Sequence, residues 1–203
     1  MIETQNQIEL KDLEAIYARQ IAVLHIKCIS TGFISSMGID FVTALYEAIA
    51  QSKSSFGIVA IRNEKVLGFA AFTLNINDLY KSIIWKKGLR FALLLAGRML
   101  SLKRLKKIFE TIFYPARIKK MNLPSAELLS IAVASEEQRK GLAGQLIEKG
   151  FQHYKETGIE KVKVLIGVEN KAGNQLYLKH GFEPTGQINN HSVLSNIYVA
   201  QIS

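Results

Sequence analysis

The sequence predicts a mixed α/β domain around one central sheet, and three observations carry that prediction. The first fifty residues space their apolar side chains as helices do, residues 54–74 form two adjoining β-rich runs, and the last eighty alternate strand and helix patterns. With 203 residues, 48% of them hydrophobic and three prolines, the chain is long enough to bury a substantial core as a single domain, 1–203.

Taken in order, "KDLEAIYARQIAVLHIKC" places apolar residues at 13, 16, 17, 21, 24 and 28, a helical spacing. "GIDFVTALYEAIAQS" repeats the pattern, with Asp40 as its predicted N-cap. "SSFGIVAIRNEKVLGFAAFTL" reads as two strands turning at Asn63-Glu64. Residues 78–118 read as one or two helices, with Leu102, Leu105, Phe109 and Ile112 along one stripe. "SAELLSIAV" is a strand, followed by a loop and a helix over 141–157. "KVKVLIGV" is a strand, 171–180 a short helix, and "SVLSNIYVAQI" a closing strand.

Several classes are disfavoured. Cys28 is the only cysteine, which excludes an internal disulfide, and with the four histidines it gives no metal-ligand spacing. "MIETQNQIEL" lacks the blocks of a signal peptide, and the longest apolar run, "FALLLAG", is closed by Arg90 and Arg98. A reducing, cytoplasmic setting is the expectation.

The stretch after "SAELLSIAV" carries the chemistry. A P-loop needs a Lys-Ser or Lys-Thr after its glycines, and a dinucleotide fingerprint needs a third glycine; neither is present. Gln138-Arg139-Lys140-Gly141-Leu142-Ala143 fits a third pattern, Q/R-x-x-G-x-G/A. There, free N–H groups at a helix start and the helix dipole hold a pyrophosphate. A turn with a solvated charge cluster is the competing account of that hexapeptide.

Its context resembles the GNAT superfamily of CoA-dependent N-acyltransferases, from about Ala126 to Gly186. "AELLSIAVASEEQRKGLAGQLI" is similar to that family's motif A, and "VENKAGNQLYLKHGFEPTG" to its motif B, with Asn170, Gly173, Leu176, Tyr177, Gly181 and Phe182 in pattern. Ala143 stands where a second glycine is commoner. The resemblance implies a mostly antiparallel sheet whose strands four and five splay around acetyl-CoA, the cosubstrate. Main chain at Ile131, Ala132 and Val133 would pair with the pantetheine. Amides of Gln138, Arg139, Lys140, Gly141, Leu142, Ala143 and Gly144 would hold the pyrophosphate, with small residues letting the ligand approach. Asn170 and Asn174 would bond the pantetheine or adenosine side, or cap the helix. Tyr177 takes the place of the general acid, against the alternative of a core aromatic. Glu127 takes the place of the base, against an exposed strand-end glutamate, and His25 is a second base candidate against a structural histidine.

The net charge of +9 is unevenly spread. Residues 80–120 hold twelve Lys or Arg and one acid, Glu110, a net of +11. That leaves −2 for the remainder: fourteen bases against sixteen acids. Residues 78–120 read as a basic, amphipathic helical insertion between strands three and four. A lid over an anionic acceptor, a face on an anionic membrane and a packed hairpin all fit it. Nucleic-acid binding is disfavoured because, Trp85 and Tyr80 apart, the aromatics fall with the leucines rather than between the bases. The expected function is acetyl transfer to a primary amine of a small molecule, an amino sugar foremost. The alternatives are a peptide or protein acetyltransferase and a non-catalytic, membrane-peripheral CoA-binding module.

Overall fold

A computed structural model describes residues 7–30, 32–96, 110–111, 113–190 and 193–202. Seven strands form one sheet in the order β1-β2-β3-β4-β5-β7-β6. They are β1 (Glu9–Asp12), β2 (Ser55–Arg62), β3 (Lys65–Thr73), β4 (Glu127–Val133), β5 (Lys161–Gly167), β6 (Phe182–Asn190) and β7 (Val193–Gln201). Every neighbouring pair is antiparallel except β4 and β5. Among the described residues, the helices of four residues or more are α1 (Ala18–Cys28), α2 (Phe33–Ser36), α3 (Ile39–Ala50), α4 (Ile76–Ala96), α5 (Tyr114–Lys120), α6 (Leu142–Glu156) and α7 (Lys171–Lys179).

Because alternate strand residues face opposite sides, each face of the sheet collects its own core. Ile58, Phe72, Leu128 and Val162 pack with Leu146, Ile147 and Tyr154 of α6. Val59, Phe69 and Ala71 face α1 and α3 on the other side, against Ile21, Val42, Tyr46 and Ile49. Helix α6 approaches β3 closely enough that a Cβ on Gly150 would lie 2.2 Å from Phe72 Cζ. Phe72 is fully buried and has no room to yield. Gly150→Ala is therefore expected to destabilise the fold by about 1–3 kcal/mol through overpacking. Urea unfolding with an unchanged midpoint would contradict that close approach.

The structure departs from the sequence reading at several elements. Residues 9–12 form an edge strand, and a 3-10 turn over Ala15–Tyr17 precedes α1, so the first helix is shorter than its spacing suggests. Strand β6 is an addition to the elements expected from sequence. Asp40 is not the N-cap of α3. Gly38 holds that position at φ 83°, while Asp40 lies in the first turn and pairs with Arg19 at 2.8 Å. The predicted turn at Asn63-Glu64 is present, with both residues at positive φ. Leu102, Leu105, Phe109 and Ile112 lie outside the described residues.

Helices α4 and α5 cross one face of the sheet. Ile76, Leu79, Tyr114 and Ile118 pack over Leu129 of β4 and Leu165 of β5. Phe91 packs edge-on against Phe41 and rests on Ala44 and Ala48 of α3, and Arg90 bonds Glu47. On the far side Arg117 donates to Asn189 O at 2.8 Å, reaching the β6–β7 hairpin.

Candidate functional site

Two parallel strands that part company define the site. β4 and β5 pair only at Glu127↔Lys163 and Leu128↔Val164, although β4 runs on to Val133 and β5 to Gly167. The cause is local. Against β3, Phe72 pairs with Leu128 and Ala71 with Ser130, so Leu129 is an extra residue that bends β4 away. Ile131, Ala132 and Val133 keep their partners on β3, and their other edge has no strand beside it. The result is a V whose apex is Glu127–Leu128 and whose mouth lies between Val133 and Gly167.

The pyrophosphate-type loop stands at that mouth. Arg139 has φ 62° and Gly141 φ 83°, left-handed positions of the kind from which successive main-chain N–H groups can face an anion. Gly141 is the N-cap of α6, with no side chain capping the helix, and the first main-chain bond of the helix joins Gln145 N to Gly141 O. The amides of Leu142, Ala143 and Gly144 thus lie outside the helix's own ladder, which suits an anion.

The two glycines serve different ends. At Gly141 a Cβ would meet nothing within 4 Å, so glycine answers to the left-handed backbone. At Gly144 a Cβ would lie 2.7 Å from the His180 ring, so its smallness lets α6 pack on α7's end rather than admitting a ligand. Gln138 Nε2 donates to Val133 O at 2.9 Å, tying loop to strand end, and Cys28 Sγ lies 3.6 Å from the same carbonyl. Lys140 is 3.2 Å from the Glu137 carboxylate, which Arg62 also holds at 2.7 Å. The hydrogen bonds from Arg62 and then Lys140 hold that carboxyl below its usual range. Lys140 is therefore partly spoken for, whereas Arg139 makes no ion pair among the described residues.

Across the mouth, Asn170 caps α7: its Oδ1 accepts from Gly173 N at 3.0 Å. Asn174 has a fuller commitment than its sequence context implied. Its Nδ2 donates to Asn170 O at 2.7 Å and Gly167 O at 3.1 Å. Its Oδ1 accepts from Tyr198 at 2.7 Å and Asn196 at 2.8 Å. It fastens α7 to the end of β5 and the middle of β7, with no hydrogen-bonding capacity left for a ligand.

Tyr177 is buried, with its ring edge-on to Phe182 at 5.4 Å and near Tyr198 at 6.4 Å. Burial pushes its phenol well above the ordinary tyrosine range, so it is protonated at neutral pH. Its hydroxyl takes no hydrogen bond among the described residues, yet it is not sealed from solvent. The ring is thus a core aromatic, and the hydroxyl is uncommitted among the described residues.

Glu127 is not an exposed strand-end residue. At the apex it is buried, its Oε2 accepting from Tyr114 at 2.8 Å and lying 3.0 Å from Lys163 Nζ. Lys163 is fully buried and also donates to Pro124 O at 2.6 Å. Oε1 takes no partner among the described residues. Tyr154 Oη lies 3.0 Å from both Thr73 O and Glu127 O, clamping the apex to β3. Sequence reasoning missed Lys163, Tyr114 and Tyr154; a lysine inside the apolar strand "KVKVLIGV" was the available signal for the first.

His25 approaches β4 from α1. Its Nδ1 is 2.7 Å from Tyr46 Oη and 3.5 Å from Ser130 Oγ, while Nε2 is buried without a partner among the described residues. Burial lowers its pKa from 6.5 to about 4, so the ring is neutral at pH 7. The unfolded chain therefore binds an extra proton as pH falls through 6.5, and stability is lost until about pH 4. The expected loss from this residue is about 3 kcal/mol between pH 7 and 4. A His25→Phe variant should flatten that part of the profile, and an unflattened profile would place the acid sensitivity elsewhere.

Comparison with known proteins accords with this geometry. A family model described as acetyltransferase (GNAT) family matches residues 29–182. No curated protein sequence gives a significant match. Among solved structures, the ribosomal-protein-S18-alanine N-acetyltransferase from Escherichia coli superposes with a TM-score of 0.62 at 15% identity, covering 97% of this chain and 95% of that one. An aminoglycoside N-acetyltransferase in complex with CoA gives 0.61 at 15% identity, covering 93% and 95%. The PaiA N-acetyltransferase from Thermoplasma acidophilum, in complex with coenzyme A, gives 0.56 at 11% identity, covering 96% and 99%. At these identities the likeness to the solved structures is one of fold.

Proposed function

Because the chain belongs to the GNAT acetyltransferase family, and so is an acetyl-CoA-dependent N-acetyltransferase, we propose that its acceptor is a small molecule with a primary amine, an amino sugar foremost. The observation that carries this reading is the roof over the V. Helices α4 and α5 lie across Leu129 and Leu165 and reach from α3 to the β6–β7 hairpin. A covered opening suits a compact amine better than the tail of a folded protein. We read residues 1–203 as one acetyltransferase domain with 78–120 inserted, in keeping with a single sheet that spans Glu9 to Gln201.

In this reading acetyl-CoA enters at the mouth of the V. Its pyrophosphate lies against the 138–144 amides and its pantetheine along Ile131–Val133. Asn170 keeps its cap, and Asn174 braces the mouth instead of touching the ligand. The amine attacks the thioester carbonyl, Glu127 Oε1 receives the amine's proton, and Tyr177 delivers a proton to the departing thiolate. His25 remains the rival for the base. Contact of residues 80–120 with an anionic membrane is a separate reading that rests on the outward side of α4 rather than on the side that roofs the V.

Free-thiol detection with acetyl-CoA and a panel of amino sugars, aminoglycosides and N-terminal peptides tests the acceptor. Turnover is expected with amino sugars. Turnover confined to peptides would overturn the small-molecule reading, and CoA binding with no transfer to any amine would favour a non-catalytic module.

A further inference from the structure

Helix α4 is apolar on both sides, which a helix at a protein surface ordinarily is not. Its inner side, with Leu79 and Phe91, is buried against the domain. Its outer side carries Ile84, Trp85, Leu89 and Leu93, exposed by 49%, 86%, 79% and 68%. Trp85, Leu89 and Leu93 are four residues apart and so lie along one stripe, with Ile84 beside it. Large apolar side chains collected on one exposed strip mark a contact surface rather than scattered surface residues.

The charges beside the stripe say what kind of surface it meets. Lys81 and Lys86 are exposed next to it and Lys87 is half-buried, while the only acid on α4 is Asp78 at its start. A second copy docked on this face would bring a second set of the same positive charges to one interface with no acid of α4 beyond Asp78 to offset them, which is unfavourable. An anionic lipid surface reverses that sign: the apolar strip enters the acyl boundary and the lysines meet headgroup phosphates. α4 is not a spanning segment, since among the described residues no helix is long and apolar enough to cross a membrane.

We propose that the outer face of α4, centred on Trp85, Leu89 and Leu93, docks this protein on an anionic lipid bilayer. The proposal rests on the acetyltransferase reading only for its consequence. The inner side of the same helix roofs the V, so docking sets the acceptor opening beside the bilayer and favours amines held at its surface.

Trp85 is the one tryptophan of the chain and reports on this face directly. The full-length protein is titrated at low salt with vesicles of phosphatidylcholine alone, and of phosphatidylcholine with phosphatidylglycerol, while Trp85 emission is followed. A blue shift with the anionic vesicles only, quenched by brominated acyl chains and reversed by salt, is expected. Leu89→Glu with Leu93→Glu should weaken vesicle binding by at least about tenfold, with acetyl transfer in solution unchanged.

Three outcomes would overturn the proposal. The first is no shift with anionic vesicles. The second is a blue shift that follows protein concentration without lipid, which assigns the face to a second copy. The third is an emission already blue and indifferent to lipid, which assigns it to the chain itself. Vesicle binding by a protein inert toward every amine would leave this proposal standing and sink the acceptor reading instead.

Discussion

Tyr177→Phe is expected to lower kcat by roughly 10²–10⁴ while leaving CoA affinity nearly unchanged. The substitution removes one oxygen and keeps the ring that packs on Phe182 and near Tyr198. Because that hydroxyl makes no hydrogen bond among the described residues, its loss takes no such bond from the fold. Stability should therefore barely change. The effect should fall on the step that expels the thiolate, at every pH where the phenol is protonated. Near-normal kcat in the Tyr177→Phe enzyme would return Tyr177 to a purely structural role.

The second large effect concerns the apex of the V. Lys163→Met should destabilise the protein by about 3–5 kcal/mol, because it strands the buried Glu127 carboxylate without its cation. The double change Lys163→Met with Glu127→Leu should recover much of that loss, since a buried ion pair contributes little net stability over apolar side chains of similar size. Urea unfolding of the three proteins measures the coupling. Additive losses would mean that the pair at 3.0 Å is not the interaction that matters. Activity separates the roles further: the double variant should fold and yet lack the proposed base.

How legible this was in the sequence varied along the chain, for physical reasons. The segment from β4 to α6 was readable because an apolar strand, a turn and an amphipathic helix follow one another with consistent local signals. β6 was not, because "FEPTGQINN" is polar, contains Pro184 and shifts register at Pro184/Gly186; it exists as an edge strand on β7 alone. β1 is four residues on the opposite edge, too short to show alternation.

At the site, Gly141 and Tyr177 were legible from a motif, but the employment of their neighbours was not. Gly144 is small for His180, and Asn174 is spent on Tyr198 and Asn196, contacts between segments far apart in sequence. The Glu127–Lys163 pair depends on the β4–β5 register, and the Leu129 bulge that ends that register has no sequence signature. The charge of 80–120 was legible at once, whereas the roofing side and the outward side of α4 required the fold.

Everything proposed for the active site depends on the 138–144 loop holding the pyrophosphate of CoA. Calorimetric titration of the unmodified protein with CoA, and separately with pantetheine, tests that most directly, because the two ligands share the arm that enters the V and differ in the nucleotide and its phosphates. If the uncapped amides at the start of α6 are the anchor, CoA binds and pantetheine binds at least about 100-fold more weakly, a difference of about 2.8 kcal/mol. Equal affinities for the two would contradict it.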